Sequence, residues 1–502
     1  MKSVYYLGID AGTSGLKALL IDGRGSAVAQ GMASYALRTP RPGWVEGDPE
    51  EWWSALCAAT RQALAAAGIG GVQIAAAGFS GQMHTLVLLD AAARPVRPAI
   101  SWADARGAAE RAEIEARVGR ARLIAITGSP AVSAFTATKL LWVRRHEPAV
   151  WARARVALLP KDYLRLRLTG VAATDPTDAG ATGLLDLQAR DWSPAVLAAL
   201  ELPRALLPRI SASAERAGTV ARPAGRATGL AAGTPVATGA GDQECAALGC
   251  GITAPGTLLI TLGSGGQVFA ATTTPLTDHH GRLHTLPHVL PDRWHVLAAI
   301  PAAGLAIAWL RGLIPAAAQA PARPATAPPI FVPSVAGERT PSMDEGARAM
   351  FFGLTLAHTA GDVLFAAREG VCFALRACVD VLRELVIPDD AIAVTGGLSA
   401  DASFLALLAN VLGQPLRAAA HREGSAYGAA LLAAHMVGAL PLPAGPLLTG
   451  ELVHPAAGQV VWHAHRYAIY RGLASSIQRS AISSQPASPG RDAVVPPSVL
   501  PK

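Results

Sequence analysis

Twice in this 502-residue chain an apolar strand runs into a turn of glycine and hydroxyl residues and out again into a strand. The first copy reads Gly8-Ile9-Asp10-Ala11-Gly12-Thr13-Ser14-Gly15-Leu16 and the second Ile260-Thr261-Leu262-Gly263-Ser264-Gly265-Gly266. Such a turn lets backbone N–H groups approach a phosphate, because glycine puts no Cβ in the way. Taken alone, the first turn is equally an ordinary hairpin. Two copies constrain the fold further: they predict two domains on one hairpin plan, in a chain too long for a single core. The copies differ where chemistry is decided, since Asp10 stands where the second has Thr261. One domain then offers a carboxylate for hydrated Mg²⁺, and both offer phosphate donors.

Composition narrows the class. Hydrophobic residues make up 51% and charged residues 16%, which suits a large α/β enzyme with extensive burial. The formal charge is +7, but the basic residues are scattered and no dense Lys/Arg run appears, so no nucleic-acid partner is expected. The five cysteines show neither zinc nor redox spacing, which predicts free thiols and a cytoplasmic protein. Asp10 interrupts the N-terminal apolar run, against a signal peptide. From Cys245 to Thr277 no side chain is charged, a length that could span a membrane. Gly, Thr and Pro255 break it up, so a buried strand–turn–strand is predicted and no membrane partner.

Local signals place further elements. Strands are predicted over Val4 to Ile9, Leu16 to Ile21 and Ser26 to Ala33. Asp48-Pro49-Glu50-Glu51 predicts a helix start with Asp48 as N-cap and Glu51 closing a capping box, and Gly68 ends that helix. A buried strand, Gln73 to Ala77, leads into Gly78-Phe79-Ser80-Gly81-Gln82-Met83-His84. Polar side chains on such a turn suit a small polar ligand, although a single histidine there is usually a structural turn residue. Asp242 follows the strand Pro235 to Thr238 in a glycine turn that leaves its carboxylate uncrowded. Leu310 to Pro329 reads as a low-complexity loop, Thr359 to Leu385 as a long helix. Ile392 to Thr395 is a strand entering Gly396-Gly397-Leu398-Ser399, with Asp401 capping a helix that Gly413 ends. The Ser/Pro tail from Ala474 has no periodicity and is expected to be disordered.

Further motifs follow in order: Pro98-Ala-Ile-Ser-Trp102-Ala-Asp104-Ala-Arg106, Thr138-Lys139-Leu-Leu-Trp142, Leu159-Pro160-Lys161-Asp162-Tyr163, and Thr174-Asp175 through Asp186. With Gly81-Gln82-Met83-His84 and the Asp10 turn, and on to Ala433, the chain resembles the FGGY carbohydrate kinases, within them the xylulokinases. The resemblance implies an α/β fold of two duplicated actin-like (ribonuclease H-like) domains flanking a central cleft. Residues 1–244 would hold the sugar and 245–440 the nucleotide, followed by an extension, 441–473, and the tail, 474–502. The implied reaction is ATP-dependent phosphorylation of a ketopentose, D-xylulose to its 5-phosphate.

Roles follow from the same resemblance. Asp242 is implied as general base, since the sugar hydroxyl must lose a proton as it attacks the γ-phosphorus. Gln82, Met83, His84, Trp102, Asp104 and Gln243 would line the sugar site. Gly12, Thr13, Ser14, Lys17, Gly263, Ser264, Gly265, Gly396, Gly397 and Leu398 would hold ATP, with Asp10 and Asp242 on Mg²⁺. A homodimer is compatible with this reading. Asp242-Gln243 is a pair seen in glycerol kinases, which keeps a kinase for ribulose, glycerol or another ketose or polyol open. Gln243, Gly265, Leu398 and Arg368 depart from the family pattern, which keeps open an actin-like nucleotide-binding protein without sugar kinase activity.

Overall fold

The computed structural model describes residues 4–314, 327–385, 387, 390–421 and 424–483, with side chains to 476. The first hairpin forms where the sequence places it: β1 is Tyr5–Ala11, β2 Gly15–Asp22 and β3 Ala27–Ser34. With β4 (Ile74–Gly81), β5 (Arg216–Thr219) and β6 (Pro235–Ala237) they make a mixed sheet in the order β3-β2-β1-β4-β6-β5. The second copy begins another sheet. Its strands are β7 (Thr257–Leu262), β8 (Gly266–Thr272), β9 (His284–Pro287), β10 (Trp294–Ile300), β11 (Ala391–Thr395), β12 (Leu416–Ala419) and β13 (Leu448–Val453).

The spatial order β10-β8-β7-β11-β12-β13 repeats the first sheet strand for strand, with β9 added at its edge. Directions repeat as well. The central strand of each sheet runs antiparallel to its hairpin partner and parallel to β4 or β11. In both sheets the last strand turns back antiparallel. The duplication expected from two glycine turns is therefore a duplication of two whole mixed α/β domains. Register confirms the equivalence of Asp10 and Thr261: Asp10 lies opposite Lys17 and Ser80, Thr261 opposite Gln267 and Thr395. The uncharged stretch from Cys245 begins as the end of the helix Asp242–Gly249, and only then becomes the buried strand–turn–strand β7–β8. Among the described residues no helix is long and apolar enough to cross a membrane, and all five cysteines are free.

Close packing joins the two halves. The helix Gly424–Met436 lies directly on the first sheet because Gly8 and Gly78 offer it no side chains. A Cβ on Gly8 would sit 1.9 Å from Ala426 O, and one on Gly78 2.1 Å from Ala429 O. No side chain fits either place.

Several local expectations are corrected. The helix Pro49–Ala67 has Asp48 as N-cap and Gly68 in the left-handed conformation. Glu51, however, accepts from Arg38 Nη2 at 2.6 Å instead of closing a capping box, because a guanidinium within reach outbids a backbone amide. The helix Gly304–Leu313 extends past Leu310 before the Pro/Ala-rich stretch, whose residues 315–326 lie outside the described ones. At the C-terminus a helix, Ala457–Ser483, crosses the expected start of the tail. Its inner stripe explains why: His463, Arg466, Tyr467 and Tyr470 are buried at helical spacing, and Leu473 and Ala474 continue the contact. Arg466 and His463 both bind the buried Glu369 of the helix Ala360–Glu384. Residues 484–502 lie outside the described residues.

Candidate active site

The first glycine turn is braced from one side. Gly12 O accepts from Tyr35 Oη at 2.5 Å and from Gln82 Nε2 at 3.2 Å. Thr13 Oγ1 accepts from Trp102 Nε1 at 3.0 Å. Thr85 links the braces, donating to Gln82 Oε1 at 3.1 Å and accepting from Trp102 N at 3.0 Å. Gln82 and Trp102, expected beside a sugar, thus use these groups to hold the first glycine turn in place. Tyr35 carried no sequence signal. Burial, then the charge of Asp10, pushes its phenol upward, so it stays a donor.

Met83 and His84 sit at the end of β4, and Asp242 is brought to them by pairing. The short segment Ala240–Gly241 lies parallel to Ser80–Gly81, and the helix Asp242–Gly249 starts at once. A Cβ on Gly241 would lie 2.8 Å from Met83 Sδ, so the thioether rests against the residue preceding Asp242. His84 has φ 68, a left-handed backbone held by its own carbonyl, which accepts from Lys139 Nζ at 2.8 Å and Thr136 Oγ1 at 3.1 Å. Its ring stacks on Phe135 at 4.6 Å, and Nδ1 lies 2.6 Å from Ala181 O. A carbonyl only accepts, so Nδ1 carries the proton. Burial pushes the imidazole well below its usual range, so the ring is neutral and Nε2 is an acceptor.

Asp242 is pushed up to about 8, by burial first and then by the charges of Asp10 and Glu244. Gln243 Nε2 donates to its Oδ1 at 3.3 Å. Glu244 is likewise pushed up to about 8 by burial, with His295 Nε2 3.2 Å from its Oε1. Asp104 has partners of its own. It is buried and gives its carboxylate to Arg106 at 2.8 and 2.7 Å and to Val45 N at 2.6 Å.

Beneath the loop of Asp242 lies a charge cluster that the motif Lys161-Asp162 hints at only in retrospect. Lys161 Nζ lies 2.7 Å from Asp162, 2.9 Å from Asp175 and 2.9 Å from Asp178, all fully buried. Asp175 Oδ2 accepts from Thr177 Oγ1 at 2.7 Å, and Thr177 Oγ1 accepts from Gly241 N at 2.8 Å. The cluster thus fixes the backbone from which Asp242 springs.

The second glycine turn caps a helix and meets the third loop. Ser264 O accepts from Ala303 N at 2.8 Å and Leu305 N at 3.0 Å. Gly396, at φ 92, packs so tightly that a Cβ would lie 2.5 Å from Leu262 O. Leu398 reaches toward Gly304, 3.9 Å from where its Cβ would stand. The turns Gly263 to Gly266 and Gly396 to Leu398 therefore lie close together. Arg368 finds a local reason: it binds Asp401 at 2.9 Å and Ser403 Oγ at 2.8 Å, pinning the cap of the helix Ala402–Leu412. Among the described residues no three His, Cys, Asp or Glu side chains gather as a metal cage.

Comparison with known proteins places this geometry. The FGGY family of carbohydrate kinases matches with its N-terminal domain over residues 5–249 and its C-terminal domain over residues 258–437. The xylulose kinase of Escherichia coli (strain K12) is 37% identical over 483 residues, 94% of this chain and 98% of that protein. The crystal structure of a xyloylose kinase from Brucella ovis has a TM-score of 0.85 at 34% identity, covering 95% of this chain and 100% of that one. That of the xylulose kinase from Rhodospirillum rubrum has a TM-score of 0.85 at 28% identity, with 95% and 100% covered. With two matching domains, two glycine turns and a carboxylate between them, the chain belongs to the FGGY family of carbohydrate kinases.

Proposed function

We propose that this carbohydrate kinase phosphorylates a ketopentose, D-xylulose, on its 5-hydroxyl at the expense of ATP, with Asp242 as general base. The observation that carries the reading is the juxtaposition of Met83-His84 with Asp242, through the contact of Met83 with Gly241. The neutral His84 accepts a hydrogen bond from a sugar hydroxyl at Nε2, while Asp242 takes the proton of the hydroxyl that attacks. Similarity to xylulose kinases supports the choice of sugar.

The residues present suit Mg²⁺. Asp10 raises the proton affinity of Asp242 by like charge, so a cation beside both relieves a repulsion the protein otherwise carries. Two carboxylates, with water and phosphate filling the remaining positions, satisfy Mg²⁺ without a cage of side chains. When bound it neutralises phosphate charge during transfer. The protein's own share is to hold the two glycine turns rigid, the first through Tyr35, Gln82 and Trp102 and the second through Ala303 and Leu305.

Gln243 favours a second reading, a kinase for a polyol or another ketose, because its amide reaches Asp242 where the acceptor binds. ATP turnover measured with D-xylulose, ribulose and glycerol in turn separates the two. D-xylulose is expected to give the highest kcat/KM; no stimulation by any of the three at saturating MgATP would overturn both. His84→Ala is expected to raise KM for the ketose about three- to tenfold, the worth of one hydrogen bond, and to lower kcat less. Initial-rate kinetics of that variant check it; an unchanged KM would remove His84 from the sugar site.

A further inference from the structure

A second cleft, of about 450 Å³, lies between first-domain residues, Pro176 and a set within 189–213, and second-domain residues Val289 and Pro291. Its volume falls within the range of small-molecule sites, about 300–1,000 Å³. Three arginines are among the residues that line it, Arg190, Arg204 and Arg209. Arg190 is held by backbone carbonyls, Arg293 O at 2.9 Å, His288 O at 3.2 Å and Leu290 O at 3.4 Å. Arg204 bonds Leu207 O at 2.8 Å. Arg209 has a loose partner, Glu215 at 3.8 Å. The one carboxylate in the lining, Asp191, is exposed and accepts from its neighbour Trp192 N. Carbonyls orient a guanidinium but leave its charge, so the wall carries net positive charge around a concavity.

A second feature points the same way. Ser211 lines the cleft at 4% exposure, and its hydroxyl is buried with no hydrogen-bond partner among the described residues. An orphaned buried hydroxyl is costly unless something completes it. We propose that this cleft binds a small anion carrying a phosphate group, with Arg190, Arg204 and Arg209 on its charge and the Ser211 hydroxyl donating to it. Nothing in the mechanism above uses these residues. The floor is nevertheless wired to the catalytic loop. Ser213 Oγ donates to Asp175 Oδ2 at 3.0 Å, and Ser213 O accepts from Gly239 N at 2.9 Å, three residues before Asp242. Asp175, Thr177 and Gly241 thus give occupancy a route to the loop of Asp242, and a change in kcat is its expected sign.

Isothermal titration of the full-length protein with inorganic phosphate and with ribose 5-phosphate tests this, on the wild type, Arg204→Gln/Arg209→Gln and Thr13→Ala. Saturable binding is expected in the wild type and in Thr13→Ala. In the double variant it is expected to weaken at least about tenfold, the loss of two charge-assisted contacts. Tighter binding of ribose 5-phosphate would name a sugar phosphate as the ligand, and equal affinities inorganic phosphate. Ser211→Ala is expected to weaken binding while leaving the melting temperature of the free protein level or higher, since it deletes an unpartnered hydroxyl. Absence of saturable binding, or equal affinity in the double variant, would overturn the site. A kcat unmoved by saturating phosphate would overturn the wiring.

Discussion

Asp242→Asn is expected to lower kcat by about 10²–10⁴-fold, the usual worth of a general base, while sugar affinity stays close to that of the wild type. The substitution keeps the side chain's size and removes only its capacity to take a proton, so the proposed sugar site next to Met83 is left intact. Calorimetric binding of the ketose beside steady-state kinetics checks both halves. A variant that retained near-normal kcat would show that another group accepts the proton. A pH profile adds a sign. Burial, with the charges of Asp10 and Glu244, holds the Asp242 carboxyl at about 8. A base works only when deprotonated, so kcat/KM is expected to climb as pH rises through that value and to level off above it. A cation near Asp10 cancels part of the like charge, so added Mg²⁺ is expected to move the rising limb to lower pH. Asp242→Asn should lack the limb.

Much of the scaffold was legible because its signals are local. Both hairpins, the capped helices ending at Gly68 and Gly413, and the strand entering Gly396 follow from apolar runs and glycine punctuation, and each formed within a few residues of its expected place. The duplication was legible for the same reason, since each copy writes its own turn. Side-chain roles were less legible, because they depend on which distant residue arrives. Gln82 and Trp102 look like ligand readers on their own turns, yet both bond the Gly12-Thr13 turn of another segment. Asp104 looks like an available carboxylate until Arg106 folds back onto it and Val45 adds its amide. The C-terminal helix hid its stripe behind Arg466 and His463, which count as polar in a periodicity reading but pack against Glu369. Lys161-Asp162 stood in a motif with no role read for it. Adjacent opposite charges ordinarily mark a solvated surface, and only the folded chain shows them sealed in.

That sealed cluster sets the largest expected loss of stability. Burial alone would pull Lys161 down, but Asp162, Asp175 and Asp178 raise it, so it stays charged. Asp178 is pushed well above its usual range, by burial first, and so holds its proton. Arg165 also bonds Asp162 at 2.9 Å, so two cations stand among three buried acids, one of which holds its proton. Lys161→Met removes one cation and leaves buried carboxylates uncompensated, a change that costs about 3–5 kcal/mol when one partner of a buried pair is lost. For a domain of this size that is a fall in melting temperature on the order of 10 °C. Arg38→Ala makes the contrast: Arg38 pairs with Glu51 at 2.6 Å but is 53% exposed, and such a pair contributes about 0–1 kcal/mol. Differential scanning calorimetry of both variants decides the matter. The Lys161 variant is also expected to lose kcat below its melting point, because Asp175 carries Thr177 and Thr177 holds Gly241 N. A Lys161→Met protein that melted with the wild type would mean that the cluster relaxes by protonation alone, and that Gly241 is held by the surrounding sheet instead.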